Sequence, residues 1–355
     1  MMKHCLGIDV SKNDIHVCLS GIDPLQKVKV LRSGTFGNNK KGFAELVKWV
    51  GKERKGTDIP LVVVMEATGI YHENCALYLF LAGFSVSVVL PNKSKKYIAA
   101  MGIKTKNDKA DAKALSRMGS EQALDRWEPM NGFFYELRSL TRHAQSLKES
   151  RDSFNNQLEA SNLGMYRNDT VAKSLQALIK LLEKQIEAAT KAISAHLATE
   201  PEVVRKMSNI TCIKGLGELT VAVVLAETNG FELFHSIGQL MSYAGYDVVE
   251  NQSGKHKGTT KISKKGNPRI RRGLFMPAFN MVTHGIKVFC DLYHRTYARH
   301  GIKMKSYVAV QKKLLALIYT LWKKDEMFDE ERGLTDTTKD VEVVLSSRVS
   351  FAEAI

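Results

Sequence analysis

The chain has 355 residues, a length that predicts two or three structural units. Its composition, 44% hydrophobic and 25% charged, is typical of a globular protein. Its 52 Lys and Arg residues against 37 Asp and Glu give a formal charge of +15, which favours nucleic acid as a partner over a membrane, with a merely basic enzyme as the alternative. Short apolar runs, no targeting segment and five cysteines without metal-ligand spacing argue against membrane and zinc-binding proteins, so we expect a soluble, cytoplasmic protein.

The first 130 residues alternate between predicted strands and helices. Strands are predicted at residues 5–10, 15–20, 27–36, 60–66 and 85–91. Helices are predicted at residues 39–52, 72–82 and 108–118, the last preceded by a basic segment. Three strands followed by alternating helices and strands predict an α/β domain with a mixed sheet, close to the ribonuclease-H-like arrangement.

Residues 131–200 show a long helical pattern in two parts. Leucines such as Leu137, Leu140 and Leu147 recur in the first part, and Leu175 and Leu182 recur in the second, on either side of a break at residues 161–169. This spacing predicts a helical hairpin or coiled coil that a dimer could use. A pair of helices packed on its own domain is an equally good interpretation.

The composition shifts again at residue 201. The segment "ITCIKGLGELTVAVVLAETNG" is typical of a helix-hairpin-helix, with Gly215 and Gly217 in a turn whose backbone amides could hold a phosphate. A purely structural turn fits as well. We expect a mainly helical domain at residues 201–324 and a polar tail at 325–355.

A basic block, "ENQSGKHKGTTKISKKGNPRIRRGLF", runs through this helical domain. Its first half is rich in glycine and predicts a loop that carries Ser253, and its second half predicts a helix at residues 268–281. Such a density of positive charge predicts nucleic-acid binding. The residues expected to make these contacts are Lys255, Lys257, Lys264, Lys265, Arg269, Arg271 and Arg272.

Four carboxylates stand where the predicted strands end and a helix begins. Asp9 lies in an apolar strand, Glu66 ends the strand at residues 60–66, and Asp108 and Asp111 share one face of a helix start. We expect them to meet at one edge of the sheet, where their repulsion would be relieved by Mg²⁺ or Mn²⁺. Taken singly, each acid is better explained as a turn, strand-end or helix-dipole residue.

The motifs "GIDVSK", "VVMEATG", "NDKADAKAL" and "QSGKHKG…ISKKGNPRIRR" resemble those of insertion-sequence transposases with a RuvC-like DEDD domain. This group is similar to the Piv site-specific invertases and includes bridge-RNA-guided recombinases. The resemblance implies a RuvC-like domain at residues 1–130 with Asp9, Glu66, Asp108 and Asp111 as its acidic tetrad. It also implies that Ser253 is the catalytic serine, which forms a covalent bond to DNA during strand exchange.

Further expectations follow from the same resemblance. They include donor and target DNA as substrates, a bridge RNA as guide, and a homo-oligomer, either dimer or tetramer. Ser242 is a rival nucleophile, although its helical, apolar surroundings favour a structural role, and Asp247 departs from the family pattern in the nearby loop. Two alternatives stay open: a metal-dependent junction-resolving nuclease without a covalent intermediate, and a non-catalytic nucleic-acid-binding protein.

Overall fold

The computed structural model describes residues 2–54, 58–102, 107–166, 168–254, 256–258 and 260–329. The chain divides into two compact units, Met1–Pro129 and Met130–Ile355. Within the described ranges, no helix combines the length and the apolar composition that crossing a membrane requires. The predicted tail at residues 325–355 lies almost entirely outside the described residues.

The first unit is built on a five-stranded mixed sheet with the order β3-β2-β1-β4-β5. Its strands are β1 (Lys3–Val10), β2 (Asp14–Ile22), β3 (Val28–Gly37), β4 (Leu61–Glu66) and β5 (Ser85–Val89). Strand β2 is antiparallel to β1 and β3, whereas β4 is parallel to both β1 and β5. This confirms the mixed α/β domain with a ribonuclease-H-like strand order that the sequence predicted.

In the described part of this unit, the sheet is accompanied by the helices α1 (Lys40–Glu53), α2 (Glu73–Leu81), α3 (Pro91–Ala100) and α4 (Asp108–Glu121). Helix α3 was not predicted, because its basic sequence has no apolar stripe. Pro91 starts it at a position where proline's fixed φ and missing N–H suit a helix. The predicted strand at residues 85–91 was correspondingly too long, since β5 ends at Val89.

The second unit is mostly helical, as the sequence predicted. Its helices are α5 (Gly132–Leu163), α6 (Asp169–Leu197), α7 (Pro201–Thr211), α8 (Glu218–Thr228), α9 (Ile237–Ala244), α10 (Pro268–Thr283), α11 (Lys287–His300) and α12 (Lys303–Lys324). Helix α8 is the centre of the core, and Val221, Ala222, Val224 and Leu225 are fully buried in it. Such complete burial accounts for the almost uniformly apolar sequence of α8.

Helices α5 and α6 form an antiparallel hairpin. Phe133, at the start of α5, stacks on His196, near the end of α6, at 4.5 Å between ring centroids. The buried residues of α5 all lie in its first half, from Phe134 to Ala144. The base of the hairpin therefore packs into the core of the second unit, and the distal half is largely exposed.

Helices α7 and α8 flank the turn that was predicted as a helix-hairpin-helix. Gly215 has a φ of +90° in this turn, a conformation that favours glycine, and Gly217 is the N-cap of α8. Two helices joined by a turn are therefore present. A phosphate-binding role for this turn stays a prediction.

Candidate active site

Two of the predicted acids lie side by side at one edge of the sheet. In the parallel pairing of β1 with β4, Ile8 is opposite Met65, so the next residues, Asp9 and Glu66, are neighbours at the carboxyl ends of the two strands. Both side chains are partly buried. The strand register thus places two carboxylates together in a site with restricted access to water.

Helix α4 brings the other two acids to the same edge because it lies directly on the backbone of β1. A Cβ added to Gly7 would sit 2.1 Å from the backbone nitrogen of Ser116, and one added to Gly119 would meet the Cys5 sulfur at 2.4 Å. The Ser116 hydroxyl donates a hydrogen bond to the carbonyl of Cys5 at 2.9 Å. These contacts run antiparallel to β1, so the first turn of α4, with Asp108 and Asp111, lies towards Asp9.

The electrostatics of Asp9 show that the other three carboxylates lie close enough to act on it. Burial raises the pKa of Asp9 to about 6, and the negative charges of Asp111, Asp108 and Glu66 add to this increase. His16 opposes it. The structure therefore brings Asp9, Glu66, Asp108 and Asp111 into one electrostatic cluster, which we call the carboxylate edge.

Two further side chains belong to this cluster and were missed from the sequence. The hydroxyl of Ser94, a buried residue of α3, donates a hydrogen bond to Glu66 Oε2 at 2.5 Å. His16 faces Asp9 across the β1–β2 pair, and its Nδ1 lies 3.6 Å from Asp108 Oδ2. The register of the β1–β2 hairpin pairs Asp9 with His16, so His16 could have been identified from the sequence. Ser94 could not, because it lies in α3, a helix that was not predicted.

The carboxylate edge matches a hard divalent cation in its donor chemistry, because carboxylate oxygens are the ligands that Mg²⁺ and Mn²⁺ prefer. Burial and the negative charges of Asp111, Asp108 and Glu66 raise the pKa of Asp9, and a bound cation would oppose both effects. In the ranges that the structure describes, no three His, Cys, Asp or Glu side chains surround a common point closely enough to hold a metal ion. The four carboxylates therefore suit Mg²⁺ or Mn²⁺ in donor type and charge, but they do not converge on a single coordination point.

Ser253 lies in the second unit on a pair of very short strands. The segment predicted as a loop contains β6 (Val248–Val249), β7 (Gln252–Ser253), β8 (His256–Lys257) and β9 (Lys261–Ile262), with β6 paired to β9 and β7 to β8. Ser253 is exposed and pairs with His256. Gly254 has a φ of +54°, which the tight turn after Ser253 requires. We call residues 248–262 the serine hairpin.

The chain on either side of the serine hairpin is firmly held. The amide of Asn267 donates to Tyr243 O at 2.7 Å, and the amide of Lys264 donates to Gly245 O at 3.1 Å. A Cβ on Gly266 would lie 2.4 Å from the carbonyl oxygen of Tyr243, so only glycine allows this approach. An exposed hairpin is thus mounted on a fixed base.

Arg271 contributes to this base. Its guanidinium donates to the carbonyls of Ala244 at 2.6 Å and Lys264 at 3.3 Å. The structure therefore gives this predicted nucleic-acid ligand a role in holding the loop, whereas Lys264 and Lys265 beside it are exposed.

The remaining predicted basic residues differ in their surroundings. Arg269 Nε lies 3.9 Å from Glu227 Oε1, and Arg272 is hydrogen-bonded to Glu149. Lys255 and the side chain of Lys257 fall outside the described residues. Ser242, the rival nucleophile, is exposed near the end of α9.

Comparison with known proteins agrees with the two-part organisation. A transposase family model of the IS110 DEDD type matches residues 6–166, and a second model, "Transposase IS116/IS110/IS902 family", matches residues 207–294. The matched segments include the carboxylate edge in one case and the serine hairpin in the other. They define the class of protein as transposase.

The relatives point the same way. The pilin gene-inverting protein of Moraxella bovis is 28% identical over 334 residues, which cover 93% of this chain and 99% of that protein. The transposase for insertion sequence element IS1111A of Coxiella burnetii is 23% identical over 303 residues, which cover 79% of this chain and 78% of that transposase. This chain belongs to the IS110 family of transposases.

Among solved structures, RuvC of T. thermophilus in complex with a Holliday junction substrate aligns with 33% of this chain and 97% of its own. The identity is 16% and the TM-score is 0.25. The strand order of the first unit stands on the pairing of its own strands.

Proposed function

We propose that this transposase cleaves and rejoins DNA strands through a covalent serine–phosphate bond, with a divalent metal held at the carboxylate edge. The observation that carries the proposal is the cluster of Asp9 with three further acids, in which burial, together with the negative charges of those acids, raises the pKa of Asp9 to about 6. Such an accumulation of negative charge is costly for folding alone, and it is useful where a cation and a phosphate must be bound.

Asp9, Glu66, Asp108 and Asp111 would hold Mg²⁺ or Mn²⁺. When bound there, the metal supplies positive charge that polarises the scissile phosphate and stabilises its transition state. Ser94 keeps one oxygen of Glu66 in place through its 2.5 Å hydrogen bond. The carboxylates themselves exclude other anions until the cation has neutralised them.

Ser253 is the proposed nucleophile. Its Oγ attacks the phosphorus of a DNA phosphodiester, the bond from phosphorus to the leaving deoxyribose oxygen breaks, and the serine proton ends on that oxygen. The resulting phosphoserine keeps the energy of the phosphodiester for rejoining to another strand. Exposure of Ser253 and the small Gly254 beside it allow a DNA backbone to approach closely.

Donor and target DNA are the proposed substrates, with a bridge RNA as guide.

Strand exchange needs several active sites, and we propose a homodimer or tetramer that uses the distal half of the α5–α6 hairpin. Val171, Leu178 and Leu181 of α6 are exposed there at 45%, 39% and 54%. Light scattering of the double variant Leu178→Lys/Leu181→Lys should then show a smaller assembly than the unaltered chain.

Denaturing electrophoresis with end-labelled DNA substrate and Mg²⁺ tests the covalent step. We expect a protein–DNA adduct with the unaltered chain and with Ser242→Ala, and none with Ser253→Ala. Peptide mapping of the adduct identifies the attached residue. Cleavage without any adduct would favour the metal-dependent junction-resolving nuclease, and an adduct on Ser242 would reassign the nucleophile.

A further inference from the structure

A small cleft in the second unit lies between helices α5, α8 and α10. Its charged lining comes from three arginines and one acid: Arg142 on α5, Arg269 and Arg272 on α10, and Glu227 on α8. Gln145 adds a polar group from α5. We call this the arginine cleft, and none of the roles assigned above to the carboxylate edge or to Ser253 uses it.

Glu227 forms the buried floor of the arginine cleft and is only 4% exposed. It accepts hydrogen bonds from Arg142 Nε at 2.7 Å, Arg142 Nη2 at 2.8 Å and Asn267 Nδ2 at 2.7 Å. Burial alone would raise the pKa of Glu227, but the bonds from Arg142 and Asn267 outweigh it and hold the pKa below its usual value. Glu227 therefore stays ionised and neutralises one of the three arginines.

The two arginines of α10 are less firmly committed. Arg269 makes only a 3.9 Å ion contact with Glu227, and its side chain is 44% exposed. Arg272 pairs with Glu149, but the two side chains are 60% and 53% exposed. Exposed ion pairs contribute little to stability, so a phosphate can displace such a partner at small cost.

We propose that the arginine cleft binds a phosphate of the DNA backbone, with Arg269 and Arg272 as its ligands. This inference rests on the proposed function in one respect, the choice of DNA as the bound polyanion. Asn267 favours that choice, because it bonds both to Glu227 and to Tyr243 O at the base of the serine hairpin. A phosphate in the cleft thus lies on the same rigid base that carries Ser253.

The first test measures the salt dependence of binding. Fluorescence anisotropy of a labelled DNA duplex is followed against KCl concentration in a Ser253→Ala background, so that no adduct forms. Arg269→Gln should lower the slope of log K against log [KCl] by about one. Lys180→Gln, an exposed change of the same charge on α6, should leave the slope unchanged.

The second test uses a variant that is expected to strengthen DNA binding. If Glu149 competes with phosphate for Arg272, then Glu149→Gln should tighten DNA binding by about twofold to fivefold, the equivalent of an exposed ion pair. Glu159→Gln removes the same charge from an exposed position on the same helix and is the matched control. A general effect of net charge would appear equally in both variants.

The outcomes separate the proposals. An unchanged slope for Arg269→Gln, or equal effects of Glu149→Gln and Glu159→Gln, overturns the arginine cleft as a phosphate site. A response with an RNA duplex of the same sequence but not with DNA overturns the choice of DNA. The expected binding changes, together with no adduct from the unaltered chain, would keep the cleft and reject the covalent mechanism.

Discussion

The carboxylate edge and the serine hairpin carry the two halves of the proposed chemistry, and they are built in opposite ways. At the carboxylate edge, α4 packs so closely on β1 that a side chain at position 7 would have no room, and burial together with the other three carboxylates raises the pKa of Asp9. The serine hairpin exposes Ser253, the proposed nucleophile, on two-residue strands, and backbone hydrogen bonds hold the chain where the hairpin joins the helices. One site fixes charge in a buried frame, and the other presents a hydroxyl to solvent.

This difference predicts how substitutions at the carboxylate edge and at the serine hairpin should change the free energy of unfolding. An electrostatic site on a closely packed frame is coupled to the packing around it, so changes there should alter stability strongly, in either direction. An exposed nucleophile on a clamped base should be separable from folding, while its base is not. Four substitutions on the common scale of unfolding free energy test this contrast.

The largest effect is expected for Gly7→Ala. A Cβ at this position would lie 2.1 Å from Ser116 N and 2.3 Å from Ala112 O, both backbone atoms that cannot move without displacing α4. We expect a loss of about 3 kcal/mol or more in urea unfolding. Gly51→Ala in α1, where a Cβ meets no atom within 4 Å, should instead stabilise the chain by about 0.5–1 kcal/mol. A loss below about 1 kcal/mol for Gly7→Ala would contradict the close approach of α4 to β1.

Much of the carboxylate edge could be predicted from the sequence because its signals are local. Apolar residues identify β1, a continuous apolar run identifies β4, and the position of Glu66 at the end of that run is visible directly. The contact of Gly7 with Ser116 could not be predicted, because it joins residues far apart in sequence that only the packed fold brings together.

The serine hairpin shows the opposite case. Glycine and lysine content indicated a loop, and the pairing of Gln252 with Lys257 is too short to leave a strand pattern. Glu227, by contrast, carried a signal that was overlooked: a single acid at the end of an apolar helix, "TVAVVLAETNG", the same feature that singled out Asp9. A buried acid needs a partner, and here the partners are Arg142 and Asn267.

The next largest effect is expected for Glu227→Ala, which removes the acid that ties α5 to the base of the serine hairpin. Loss of two charge-assisted bonds to Arg142 and one to Asn267 should cost about 2–3 kcal/mol, below the value for a fully buried pair because the Arg142 side chain is 39% exposed. Glu218→Ala, at an exposed position on the same helix, should cost less than about 1 kcal/mol. Equal losses for the two variants would show that the Glu227 contacts add no stability.

A smaller effect of opposite sign is expected for Asp9→Asn. The pKa of Asp9 is raised from 3.8 to about 6 in the folded protein, so the folded state binds this proton more tightly than the unfolded state. The resulting stabilisation is complete below the unfolded pKa and is lost as the pH rises through 6. In metal-free buffer the variant should match the unaltered chain at about pH 3 and exceed its stability by about 1–2 kcal/mol at pH 7.

Added Mg²⁺ should reduce or reverse the stability advantage of Asp9→Asn over the unaltered chain at pH 7. Added Mg²⁺ should stabilise the unaltered chain at pH 7 and have a weaker effect on Asp9→Asn, because a ligand that binds only the folded state raises its stability. A variant that gains nothing at pH 7 without metal would show that burial and the neighbouring carboxylates do not raise the pKa of Asp9 in the folded protein. A lack of any response to Mg²⁺ in the unaltered chain would remove the metal from the proposed site.

The smallest effect on folding is expected for Ser253→Ala. Ser253 is exposed, and substitutions at exposed positions away from buried contacts usually change stability by less than about 0.5 kcal/mol. The backbone pairing of β7 with β8 and the bonds of Asn267 and Lys264 at the base do not involve the serine side chain. Urea unfolding and the response to Mg²⁺ should therefore match the unaltered chain, while the covalent adduct is lost completely. If Ser253→Ala instead lowered stability by about 1 kcal/mol or more and left the adduct intact, Ser253 would be a structural residue of the hairpin. The contrast between a closely packed electrostatic site and a separable nucleophile would then fail.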